Sequence, residues 1–126
     1  MNKKRLLAAA KFLHGLKIPR GAKFGMKTFV RHLGSHSPKQ GHFCGTSACA
    51  IGWLALHRRL GFSTKYNGSP SFDIVHRESY KLNVPAVKRA FRISNYNFEF
   101  LFGMSNHDKT PKSVALRIEQ FVEDNE

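Results

Sequence analysis

The sequence predicts a mainly α fold, a compact single domain over residues 1–126 with about five or six short helices around a buried central helix. Three observations predict it. Apolar residues recur at helical spacing in several separate windows, and capping residues or prolines open these windows while glycines close them. One window, "SACAIGWLAL" at 47–56, is apolar around its whole circumference, so other elements must enclose it. At 126 residues, 41% of them hydrophobic and 12% aromatic, the chain is long enough for one modest core.

The first expected helix runs from about Asn2 to His14, with Leu6, Ala9, Ala10 and Leu13 on one stripe, Lys3, Lys4 and Lys11 off it, and Gly15 as its stop. After the turn "KIPRG", the segment "KFGMKTFVRHLG" repeats Met26, Phe29, Val30 and Leu33 at helical spacing and ends at Gly34. It is expected to be a short second helix. Residues 35–42, "SHSPKQGH", are expected to form an exposed loop.

Thr46 is expected to cap the central helix and Gly61 to close it. Gly52 inside that helix costs roughly 1 kcal/mol against alanine, which implies a neighbouring backbone in close approach. Residues 62–76 carry an Asn67-Gly68 turn signal between two β-type runs and make a small hairpin possible there, weakened by Pro70. Pro85 opens "VPAVKRAF", Ser94 caps "NYNFEFLF" ahead of Gly103, and Thr110-Pro111 opens a last helix carrying Val114, Ala115, Ile118, Phe121 and Val122.

Charge narrows the function. The formal net charge is +13, and residues 1–72 carry 13 Lys and Arg without one Asp or Glu, while residues 73–126 hold the other 8 basic residues and all 8 acidic ones. Such asymmetry points to a polyanionic partner, nucleic acid first and an acidic protein or membrane surface second. The residues expected to bind nucleic acid are Lys3, Lys4, Arg5, Lys11, Lys17, Arg20, Lys23, Lys27, Arg31, Arg58 and Arg59. Recognition is expected to run through phosphates of RNA or DNA, since no helix-turn-helix, RNA-recognition or zinc-finger motif is present. The apolar runs are too short to span a bilayer and the start of the chain lacks a secretory signal, so a cytoplasmic location and no membrane partner are expected.

The order of motifs also resembles a group of small phage and bacterial proteins. Its pattern has a leading "LLxxAxFL", a central "CGTxxCxxGW", an "FG(I/L)S…LF" segment and a closing "TPxxVAxRIxxF". Here these correspond to Leu6–Leu13, to Cys44–Trp53, to "FRISNYNFEFLFG" and to "TPKSVALRIEQF". The resemblance covers most of the chain and implies a shared fold and a phage or prophage origin, hence a bacterial host cell. It implies no catalytic residue. The basic first part and the insertion at 62–76 set this chain apart from that group.

Cysteine chemistry competes with binding. Cys44 precedes the cap of the expected central helix, where unpaired N–H groups favour a thiolate, yet no general base is singled out beside it. A metal site from His42, Cys44, Cys49 and His57 fails on spacing, because Cys49 and His57 are eight residues apart on one helix, about 12 Å by rise; His36, His42 or His107 with Cys44 would be needed instead. A Cys44–Cys49 disulfide is disfavoured by the same geometry. The expectation is a non-enzymatic protein with no metal, cofactor or small-molecule substrate. The alternatives are an inhibitor docking on an acidic host or defence protein, and then a cysteine-dependent enzyme using Cys44.

Overall fold

A computed structural model of the chain describes residues 1–32, 46–66, 71–103 and 105–126. Four of the expected helices are present: α1 (Lys3–Gly15), α3 (Val84–Phe91), α4 (Asn95–Phe102) and α5 (Pro111–Asp124), with the shorter α2 (Ala50–Leu56) in the centre. Their starts follow the chemistry of unpaired backbone donors. Asn2, Ser94 and Thr110 each accept a hydrogen bond from an N–H of the first turn, and Pro85 and Pro111 occupy positions where the missing N–H costs nothing.

The mainly α expectation is corrected by a five-stranded mixed sheet, which makes the fold α+β. The strands are β1 (Lys23–Phe24), β2 (Val30–His32), β3 (Thr46–Ala48), β4 (Phe62–Tyr66) and β5 (Ser71–His76), in the spatial order β1-β3-β2-β5-β4. β1 and β3 are parallel, and the other neighbours are antiparallel.

The expected second helix is therefore absent. Met26 and Phe29 fall in the connection between β1 and β2, and Val30, Arg31 and His32 alternate buried, exposed, buried, which is the two-residue period of a strand. Leu33, Gly34 and the expected loop at 35–42 lie outside the described residues, as do Cys44 and the Asn67-Gly68 turn. The hairpin itself is present, with β4 and β5 in register from Phe62↔His76 to Tyr66↔Phe72.

The central helix starts later than its sequence suggests. Thr46 lies in β3, where its hydroxyl meets His32 Nδ1 at 2.6 Å across the strand pair, and Cys49 is the residue whose side chain accepts from Gly52 N–H at the start of α2. All seven residues of α2 are buried. They pack on β3, β4 and β5 and also on α1. The close approach expected at Gly52 is borne out: a methyl group there would stand 1.8 Å from the carbonyl oxygen of Phe29.

The core joins this helix to the sheet and to the other helices. Trp53, Phe62, Phe91, Leu6, Leu13, Ile51, Leu54, Ile74, Leu101 and Ile118 are all fully buried. α1 packs mainly against α5, antiparallel to it, with Lys3 paired to Glu126 at one end and His14 to Glu119 at 2.8 Å at the other. No helix among the described residues is long and apolar enough to cross a membrane.

Candidate nucleic-acid interface

The helical stripe Ala8, Lys11, Phe12 and Gly15 of α1 faces the exit of α2 across an open cleft of about 610 Å³, which Lys17, His57, Arg59 and Leu60 complete. Spacing of three and four residues puts the α1 members on one face. Three of the expected cations, Lys11, Lys17 and Arg59, come from separate stretches of chain and meet here.

The floor of the cleft is aromatic. The Arg59 guanidinium lies 5.6 Å from the centre of the Phe12 ring, and His57 meets the same ring edge-on at 5.4 Å and Trp53 at 6.1 Å. A cation over a ring at this distance is worth roughly 0.5–1 kcal/mol where water still reaches it. The arrangement holds Arg59 over the half-buried Phe12 ring with its charge available at the surface.

Local backbone geometry explains how Arg59 gets there. α2 ends with Arg59 N–H donating to the Leu54 carbonyl at 2.9 Å and Arg58 N–H donating to Ala55 at 3.0 Å. This is the pair of bonds that closes a helix in a Schellman turn, a turn whose left-handed residue is usually glycine. Here that residue is Arg58, at φ 54°, and Leu60 follows at φ 58°. A side chain in this region costs about 1–2 kcal/mol. The stop expected at Gly61 is thus corrected: the helix ends at Leu56, and Gly61, at φ 84°, serves the turn into β4.

Electrostatics favour cations in this place. α1 ends at Gly15 and α2 at Leu56, both beside the cleft, and helix C-termini stabilise positive charge by roughly 0.3–1 kcal/mol each. The imidazole of His57 is held below its ordinary range, first by burial and then by the charge of Arg59. It is therefore neutral at pH 7 and adds charge to the cleft only in acid.

The other expected residues are placed as follows. Arg58 is exposed next to the cleft. Lys23 pairs in register with Ser47, and Ser47 with Arg31, which in turn faces Ser71 on β5; residues paired in this way share one face, so Lys23, Ser47, Arg31 and Ser71 form a polar row across the outside of the sheet. At about 4.8 Å between strands, Lys23 and Arg31 stand roughly 10 Å apart. Lys4, Arg20 and Lys27 are exposed individually, Lys27 at the rim of a separate apolar cavity of about 290 Å³ beside Met26, Phe29 and Phe98. Arg5 serves the structure instead: it grips both oxygens of Glu78, at 2.6 and 2.5 Å, and donates to the Ala90 carbonyl at 3.0 Å.

Phe12 and Ser47 were not among the expected site residues. Phe12 sits at the border between the buried stripe of α1 and Lys11, and that border position was its only signal in the sequence. Ser47 takes its place from strand register, which local pattern does not reveal.

The described cysteine offers no reactive thiol. Cys49 is 2% exposed, and burial pushes its thiol up to about 11, well above any useful thiolate population at neutral pH. Cys44 and His42 lie outside the described residues, so the enzyme reading built on Cys44 has no geometry here. Among the described residues, no three His, Cys, Asp or Glu side chains gather as a metal site would require.

The chain matches no protein-family model, no curated protein and no solved structure. The resemblance to small phage and bacterial proteins therefore rests on the motifs quoted above.

Proposed function

We propose that this protein binds nucleic acid, RNA or DNA, through phosphate contacts made by a cationic cleft between α1 and the exit of α2, with no catalytic step. The observation that carries the reading is the convergence of Lys11, Lys17 and Arg59 around Phe12. Separate chain segments supply the charges, and the left-handed turn at Arg58 places Arg59 among them. Cations around a half-buried aromatic ring suit a strand whose phosphates need neutralising and whose sugars and bases can pack on apolar surface. The row Lys23, Ser47, Arg31 and Ser71 adds charge and hydroxyl donors on the sheet. A phage or prophage origin, proposed from the motif order, is compatible with such a role.

The test is fluorescence anisotropy with unrelated RNA and DNA fragments over a salt series. Binding to both is expected, with log affinity falling linearly in log salt, by about 0.9 per duplex phosphate neutralised. The triple variant Lys11→Gln/Lys17→Gln/Arg59→Gln is expected to lower that slope by about 2–3 and to weaken binding similarly for every sequence. Absence of binding at low salt would sink the proposal and leave docking on an acidic protein as the reading to pursue.

A further inference from the structure

The balanced charge of residues 73–126 hides a separation. Arg77, Lys81, Lys88, Arg89 and Arg92 are five of its eight cations, whereas six of its eight carboxylates come after residue 98. Residues 1–98 thus hold 18 of the 21 Lys and Arg and only two carboxylates, Asp73 and Glu78. Both are engaged: Asp73 accepts from Asn83 Nδ2 at 3.0 Å, and Glu78 has both oxygens held by Arg5.

Lys81, Lys88, Arg89 and Arg92 surround a second open cleft, of about 680 Å³, with Glu78 at its wall. The carboxylate there is already neutralised, so the cleft presents four positive charges. Arg89 is fixed by its Nε donating to the Glu78 carbonyl at 2.9 Å.

Its architecture repeats that of the first cleft. α3 ends with Ile93 N–H donating to Lys88 at 3.1 Å and Arg92 N–H donating to Arg89 at 3.3 Å, and Arg92 takes the left-handed position at φ 52° and ψ 53°. Arg58 beside the first cleft and Arg92 in the second therefore each stand where a helix end usually employs glycine. Helix closure would be easier without them, so each side chain is retained against a local cost of the same kind.

α1 links the two clefts. Its start is bound to the end of α3, with Asn2 N–H donating to the Phe91 carbonyl at 2.7 Å and Arg5 donating to Ala90 at 3.0 Å. Its far end lines the first cleft. From Arg5 to Gly15 the helix rises about 15 Å, and the stripe Lys4, Ala8, Lys11 and Gly15 runs along one flank between them. Lys4 and Lys11 are exposed on that stripe. The adjoining flank of α1, turned about 100° from that stripe, carries the pairs of Lys3 to Glu126 and of His14 to Glu119 of the acidic end.

We propose that the nucleic-acid site extends along the exposed flank of α1 into this second cleft, so that one strand is gripped at both ends by Lys11, Lys17 and Arg59 and by Lys81, Lys88 and Arg92. The proposal rests on the function proposed above and adds a site that the sequence count concealed. At 0.1 M salt the Debye length is about 10 Å, shorter than the roughly 15 Å that α1 rises from Arg5, which holds Glu78 at the second cleft, to Gly15 at the first, so the two sets of cations repel each other little and act as separate grips on one polyanion.

The experiment compares the protein with the variant Lys81→Gln/Lys88→Gln/Arg92→Gly on single-stranded DNA of about 4 and about 12 nucleotides, a range that brackets one grip and both. Glycine at 92 suits the left-handed backbone, which keeps the variant folded, and a thermal melt verifies it. For the longer strand the salt slope is expected to fall by about 2, three contacts at about 0.7 each, and affinity at 50 mM salt by tenfold or more. For the shorter strand, which occupies one cleft at a time, the loss is expected to stay near twofold. An unchanged slope for the longer strand overturns the extended track and leaves the first cleft standing. Equal losses for both strands overturn it too, by making the second cleft the sole site. If the unaltered protein binds neither strand, both proposals fall together.

Discussion

Replacing Gly52 by alanine tests the placement of the sheet directly. The added methyl would stand 1.8 Å from the Phe29 carbonyl oxygen, 2.8 Å from its carbon and 2.9 Å from Ala48 Cβ. Restoring an ordinary contact of about 3.4 Å requires the segment leading into β2 to retreat by roughly 1.6 Å, and overpacking of a core typically costs about 1–3 kcal/mol. Retreat also strains the Cys49 N–H bond to Phe29, 3.2 Å long, worth about 1 kcal/mol. Against this stands alanine's better helix propensity, about 1 kcal/mol. The net expectation is a loss of about 2 kcal/mol. With about 2.1 cal/mol/K of unfolding entropy per residue, this lowers Tm by roughly 8 °C. Scanning calorimetry or a circular-dichroism melt reads it, and Gly15→Ala, where nothing lies within 4 Å of the new methyl, is the control, expected to be neutral or up to about 1 kcal/mol stabilising. If Gly52→Ala is as stable as the parent or more so, α2 does not lie against the backbone at Phe29, and a helix in that region returns.

Arg58→Gly is expected to raise stability by about 0.5–1 kcal/mol, or roughly 2–4 °C in Tm, while lowering the salt slope of nucleic-acid binding by up to about 1; a lower Tm would contradict the left-handed geometry. Stability should also fall as pH is lowered from 7.5 to 5.5. Burial first, and then Arg59, hold His57 low among the rings of Phe12 and Trp53. His76 is held low chiefly by burial, with Arg5 and Arg77 adding to the effect and the Leu60 carbonyl and Glu78 opposing it. Its ring meets Phe62 at 4.7 Å, and Nδ1 accepts from Glu78 N–H, an acceptor that protonation would destroy. The unfolded chain takes up these protons near pH 6.5 and the folded chain only below it, so the loss begins there; equal melting temperatures at pH 7.5 and 5.5 would refute this. Glu78, pulled down to about 2 first by its hydrogen bonds to Arg5, acts in a lower window: its stabilisation is complete above pH 4.5 and disappears toward about 2. Finally, Cys49 should resist iodoacetamide at pH 7.5 until denaturant is added, as mass spectrometry of the labelled peptides would show; prompt labelling of Cys49 under native conditions would contradict its burial.

The helix starts were legible because caps are local chemistry. Ser94, Thr110, Pro85 and Pro111 each act on atoms within one turn, and α3, α4 and α5 begin where those residues stand. The 62–76 hairpin was legible from its turn signal, but β1, β2 and β3 were concealed for the opposite reason. Met26, Phe29 and Val30 have helical spacing, and the alternation that marks β2 is only three residues long. β3 was concealed by its continuity with α2, since nothing in "TSACAIGW" marks the change from strand to helix at Cys49. At the candidate site, sequence identified Lys11, Lys17 and Arg59 as surface cations but could not show that they meet. It missed the second cleft because counting charge by halves of the chain cancelled α3 against α5. Arg58 and Arg92 also conceal the ends of their helices, for a search that relies on glycine passes over them.

Strand order has a consequence for biosynthesis. β3 lies between β1 and β2, and β2 has β5 on its other side, so the five-stranded sheet cannot be complete until residue 76 has been made. α1 waits longer, because its main packing partner is the last helix to emerge. For most of translation the nascent chain is thus a strongly cationic, unassembled polymer whose earliest segment has no acidic counterpart yet synthesised, at elongation rates of about 5–20 residues per second. Any polyanion near the exit of the translating machinery meets this protein before its own carboxylates do.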